Sequence, residues 1–353
     1  MKINKIFIGL TFALGAVLTS CQNQDITHPD FDYQTVYFAN QYPLRTLELG
    51  EDLTVDNSMD NLKKVVIKAT TGGAYDNKND IFIDFKVDPT LCTNLKFVAS
   101  GSIISTNILP MPTNYYTLSS SNRIVIPKGE IMGGVEVQLT DAFFADPLTL
   151  TNTYVIPLLI TGVQGADSVL LGQPNPGITA PVRTNESDWT IKPKDYVLYA
   201  VKYVNPWQAN YLRRGLDKIT NTTTSVVTTA ARHKQYIERD DLVGIVTNSL
   251  NVAKLPLSII NSGGAKVNFD LILTFANDGT CSVSGNSTNF DITGTGKFVS
   301  KGEVNGVGGS ASSALYLDYS VNFKLLNLKY ETKDTLVVRD RGIKPEYYSI
   351  IKN

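Results

Sequence analysis

Histidine, cysteine and tryptophan are nearly missing from this 353-residue chain, which has two, three and two of them. His28 and His233 stand far apart, and no Cys/His cluster has metal-ligand spacing, so no metal or other cofactor is expected. Arg232-His233 lacks the nucleophile and acid neighbours of a catalytic triad, which leaves a satisfied, partly buried histidine as the expectation. There is no Gly-rich phosphate loop, no G-x-S-x-G elbow and no zinc motif. A glycosidase needs two carboxylates about 5 to 10 Å apart, and among 33 acidic residues no pair stands out. The expectation is a protein without catalysis of its own, a hydrolase of unfamiliar type being the weakest alternative. Charge of one sign is missing too: 32 basic residues against 33 acidic ones leave nothing to attract nucleic acid.

Long apolar runs are also lacking. IFIGLTFALGAV (6–17) is too short to span a bilayer, but it follows Lys2 and Lys5 and precedes LTSC (18–21). That order is an export signal of the lipoprotein type. Residues 1–20 read as the signal peptide, Cys21 as the acylated mature N-terminus, and residues 21–34 as a flexible tether. Several acyl chains on one residue anchor far better than one. Gln22 replaces the aspartate that retains many lipoproteins at the inner membrane, so outer-membrane anchoring is expected. Cys92 and Cys281 then remain, expected as buried free thiols.

Helical periodicity is hard to find, with a short turn near DAFFADPLTL (141–150) as the expected exception. Period two dominates instead. IFIDFKV (81–87), VNFDLILTF (267–275) and LYLDYSVNFK (315–324) each place alternate apolar residues on one face. Such alternation marks antiparallel strands buried on one side, so the chain reads as all-β. GQPNPGITAPVRTNESDW (172–189) breaks the pattern with three prolines and two glycines and reads as a linker. The expected division is a β-sandwich over 35–171, a linker over 172–190 and a barrel-like domain over 191–353. KGEVNGVGGSASSA (301–314) reads as a Gly/Ser loop able to move over a pocket.

Several segments carry a family resemblance: LTSC, TVYFAN (35–40), YVIPLLITG (154–162), YVLYAVKYVNPWQANYLRRG (196–215), ARHKQYIERDD (231–241), GTGKFVSKGE (294–303), LYLDYSV (315–321) and DTLVVRDRG (334–342). Together they resemble a Bacteroidetes family of two-domain lipoproteins of unknown function, often encoded in polysaccharide-utilisation loci. The resemblance implies an N-terminal immunoglobulin-like sandwich and a C-terminal antiparallel barrel, lipocalin-like in some relatives. It also implies a place beside Sus-like transporter proteins and oligo- or polysaccharide ligands, without naming one. QNQD (22–25) lacks the acidic start common in surface-exposed members, so the surface-facing orientation is expected with less support than the anchor itself.

Two readings fit VNPWQANYLRRG (204–215). Asn205-Pro206 stops a strand. In a helical turn, Trp207 and Tyr211 would share one side, and with Tyr203, Arg213 and Arg214 they would make a sugar platform. Alternatively Trp207 plugs one end of the barrel, with an arginine stacked on its ring and paired to a carboxylate. Arg339 and Arg341 of RDRG share a strand face, as an ion-pair network or a substrate clamp. Trp189 packs between the domains or binds ligand. The functional expectation is a glycan-binding lipoprotein without catalysis, the alternative being a structural, adhesin-type or transporter-accessory lipoprotein with no sugar site.

Overall fold

The computed structural model describes residues 31–74, 76–99 and 106–352. The lipobox, including Cys21, lies outside them. The chain is nearly all β, with short helical turns at Asp141–Ala145 and Pro147–Leu150, where one was expected, and another at Ser58–Asn61.

In chain order the sandwich strands are β1 (Thr35–Tyr37), β2 (Leu44–Glu48), β3 (Lys64–Gly72), β4 (Ile81–Val87), β5 (Leu95–Ala99) and β6 (Leu109–Pro110). They continue with β7 (Tyr116–Leu118), β8 (Arg123–Ile126), β9 (Met132–Leu139), β10 (Tyr154–Gln164) and β11 (Ser168–Val169). The linker contributes β12 (Gln173–Pro174) and β13 (Trp189–Ile191), and β14 (Tyr196–Val204) follows. One sheet runs β11-β1-β3-β9-β7 and the other β2-β14-β10-β4-β8, with β6 beside β10. Val36, Ile67 and Val137 of the first sheet meet Ile83, Ile124 and Ile156 of the second in one buried core. Two sheets burying their facing sides in this way form a sandwich.

The expected boundary is corrected here. Strand β14 pairs antiparallel with β10 and parallel with β2, so it belongs to the sandwich, not to the barrel. Its composition explains why. YVLYAVKYV is apolar on both faces, which suits a central strand covered on two sides. Val197 and Val201 enter the sandwich core, while Leu198 and Ala200 face a second cluster with Cys92, Phe97 and Tyr348. The proline-rich stretch is an ordered excursion in which β12 pairs with β13. Strand β24 (Tyr348–Lys352) returns to pack beside β14: it pairs with β5 in a separate two-stranded sheet, and Tyr348 donates to the Leu198 carbonyl.

The C-terminal module begins with β15 (Ala209–Asn221), β16 (Val227–Arg232), β17 (Asp241–Thr247), β18 (Val252–Ile260) and β19 (Lys266–Phe275). Four more strands complete it: β20 (Thr280–Ser284), β21 (Phe290–Glu303), β22 (Ser312–Phe323) and β23 (Leu328–Asp340). Neighbours pair antiparallel from β17 to β23, and β15 pairs with both ends of that series, closing an eight-stranded barrel. Closure removes the exposed edges that an open sheet would carry. Strand β16 lies alongside the upper half of β15. Leu315, Leu317, Tyr319, Val321 and Phe323 point inward, as their alternation predicts, and side chains fill the interior.

Candidate functional site

The aromatic platform is not there. Residues 209–221 form strand β15, not a helical turn. A separation of four residues also repeats in a strand, so Ala209, Tyr211 and Arg213 share the inward side. Trp207, just before the strand, joins them in the barrel core, stacked on Phe275 with centroids 3.9 Å apart and planes 6° from parallel. It is 8% exposed, and Tyr211 is fully buried with its hydroxyl donating to the Trp207 carbonyl at 2.8 Å. Tyr203 belongs to the sandwich core and donates to the Phe144 carbonyl at 3.1 Å. Rings held this way have no face to offer a sugar. The plug reading describes Trp207 better, though Phe275 rather than an arginine covers it.

The paired arginines diverge because adjacent strand residues point to opposite sides. Arg213 Nε donates to Asp334 Oδ2 at 2.9 Å, and its Nη2 donates to the Tyr319 hydroxyl at 3.0 Å. Arg232 bridges the same Asp334 and Asp217, making an ion network at one end of the barrel. Gly215 makes room for it: a Cβ there would lie 2.3 Å from Asp334 Oδ1. Arg214 turns outward to Asp240, 2.7 Å away. His233 is exposed, contrary to expectation. Trp189 is half-buried and donates from Nε1 to the Val182 carbonyl within the linker, so it does not reach between the modules.

The RDRG arginines also part company. Arg339 lies on the surface beside Asp340, Nε to Oδ2 at 2.7 Å. Arg341, only 8% exposed, is a rivet between the modules. It donates to the carbonyls of Leu49 (2.9 Å) and Glu51 (3.0 Å) on the sandwich loop. On the other side it donates to Asn205 (3.0 Å) and Gln208 (2.8 Å), where the barrel begins.

Around that rivet the seam opens into a cleft of about 750 Å³, within the range of small-molecule sites. Four basic side chains line it, Arg45, Arg339, Arg341 and Lys344, with four acidic ones, Glu48, Asp52, Asp340 and Glu346. Most are held in pairs: Arg45 with Asp60, Arg339 with Asp340, and Glu346 with Lys202. Asn210 is fixed by a 2.6 Å bond from Nδ2 to Asp340 Oδ1. Burial raises the Glu48 carboxyl to about 7 although Arg341 Nε lies 3.4 Å away and pulls the other way. Burial acts likewise on Asp52, but hydrogen bonds from Thr54, Glu48 and Val55 overcome it and hold that carboxyl below its usual range. Sequence reading found Arg339 and Arg341 but missed Arg45, Glu48, Asp52 and Asn210. The cleft joins segments some three hundred residues apart, and no local pattern marks them.

A family model, the domain of unknown function DUF5627, matches residues 206–342, the span of the barrel. A second model, described as an N-terminal domain, matches residues 31–167. No curated protein matches the chain. The crystal structure of a structural-genomics protein of unknown function from Bacteroides ovatus is 50% identical, with a TM-score of 0.85 over 92% of this chain and 100% of that one. A multidomain protein including DUF1735, also from Bacteroides ovatus, is 12% identical over 87% of this chain and 94% of that one, at a TM-score of 0.38. At 50% identity over 92% of its length, the chain belongs to the same family as the first of these, a protein of unknown function, and is built of the two matched domains.

Proposed function

We propose that the protein is a non-catalytic saccharide-binding lipoprotein, anchored in the outer membrane through Cys21 and holding its ligand in the seam between sandwich and barrel. The observation that carries this reading is the balance of the cleft wall. Four basic and four acidic side chains interleave along the wall, and even with Glu48 raised to about 7 no strong charge of one sign is left to select an ion. Their fixed donors and acceptors instead suit a neutral ligand rich in hydroxyls, each of which both gives and takes a hydrogen bond. Affinity from such contacts is modest after the cost of association, about micromolar to millimolar. Weak binding fits a receptor that hands its ligand to a Sus-like transporter.

The test is a glycan-array screen of the full chain, followed by calorimetry on any glycan retained. Asn210→Ala and Arg339→Ala are expected to weaken binding about tenfold, one or two hydrogen bonds' worth, with the melting temperature nearly unchanged. Glycans bound equally by both variants, or no glycan bound, overturn the reading. The anchor is tested separately: labelled palmitate should enter the wild-type chain and not Cys21→Ala.

Burial of Trp207 and Tyr211 favours a second reading, an interaction lipoprotein with no sugar site. An empty array together with co-purification of transporter proteins would select it.

A further inference from the structure

A second cavity of about 270 Å³ shares a wall with the polar cleft. Asp52, Thr54, Arg339, Asp340 and Arg341 line both. Its character is different. Leu53, Pro206, Ala209, Tyr211, Phe298 and Val338 give it mostly apolar walls, and the Gly/Ser loop closes one side through Val307 and residues 310–313.

The Ser312 and Ser313 hydroxyls of that loop are already engaged. Ser313 Oγ donates to Glu51 Oε2 at 3.1 Å and accepts from the Lys301 amide at 3.1 Å. Ser312 Oγ accepts from the Val307 amide at 3.0 Å. The loop is pinned further by Glu238, whose Oε1 accepts from the Gly308 amide at 2.9 Å. A second sugar ring placed here would leave the hydroxyls that face the apolar and loop side short of partners, at a cost for each. An apolar group would not.

We propose that this cavity is a second compartment of the same site, taking an uncharged aryl or short acyl substituent of the saccharide held in the polar cleft. The inference rests on the saccharide reading above. It names the ligand class as a substituted glycan rather than a bare one. The cleft supplies hydroxyl recognition, and the adjoining cavity supplies apolar contact through Leu53, Phe298 and Val338.

Calorimetry on the full chain with paired methyl and p-nitrophenyl glycosides of glucose, galactose, mannose and xylose tests it, since each pair differs only in the apolar group. Wherever a pair binds, the p-nitrophenyl member should bind at least tenfold tighter. Leu53→Ser, at a position 59% exposed, should erase that ratio while leaving the methyl glycoside's Kd unchanged. Phe298→Ala should do the same. Equal affinities within a pair, or a ratio that survives both substitutions, overturn the inference and leave the saccharide reading standing. Failure of every glycoside to bind removes both.

Discussion

Arg341 Nη2 donates to the Asn205 carbonyl at 3.0 Å, fastening the residue that follows the barrel's last strand to one that lies four residues before its first. The same nitrogen reaches the Leu49 carbonyl at 2.9 Å, so a single guanidinium joins both ends of the barrel to the sandwich. Arg341→Ala leaves four carbonyls without this donor and Glu48 without its ion-pair partner. The expected loss is about 3 kcal/mol, as for removal of one partner from a buried charged cluster. Urea denaturation followed by tryptophan fluorescence measures it, and an unchanged midpoint would show that the rivet contributes nothing.

Trp207→Ala should act on stability before anything else. Its indole fills the barrel core against Phe275, and truncation of a buried Trp costs about 3–5 kcal/mol. The expected outcome is a lowered melting temperature. A variant that kept its melting temperature but lost ligand would restore the platform idea.

Glu48 gives the pH dependence a direction. With a folded pKa of about 7 against 4.5 in an unfolded chain, it takes up a proton on folding between those values. Its contribution to stability is therefore present at the acid end and lost as pH rises through 7. Glu48→Gln stays neutral throughout, so it should melt higher than the parent at pH 8 and about equally near pH 5. A lower melting temperature at pH 8 would mean that attraction to Arg341 outweighs burial.

Cys92 and Cys281 are both buried and free, one in the sandwich's second cluster and one in the barrel core. Burial pushes each thiol up to about 12, with Asp88 adding to the effect at Cys92. Neither should react with a thiol reagent at pH 8 in the native protein, and both should react in urea. Rapid native labelling would place one at the surface.

The strand faces were legible because one-sided burial writes a period of two into the sequence. Leu315 through Phe323 point inward as their alternation says. Strand β14 was not legible in the same way. A strand buried on both sides has no alternation, and its position after a proline-rich stretch says nothing about which sheet receives it. The pair Trp207 and Tyr211 misled because a spacing of four satisfies helix and strand alike. Arg341 could be picked out as a residue needing partners. That those partners would be carbonyls of Leu49 and Glu51 depends on tertiary contact alone.

The most direct measurement of the seam as a binding site is hydrogen–deuterium exchange, with and without a saturating glycan from the array. Protection confined to residues 48–55 and 339–346, with Asn210 inside the protected part of β15, is the predicted result. Protection elsewhere on the barrel or sandwich, with the seam unchanged, would contradict the account.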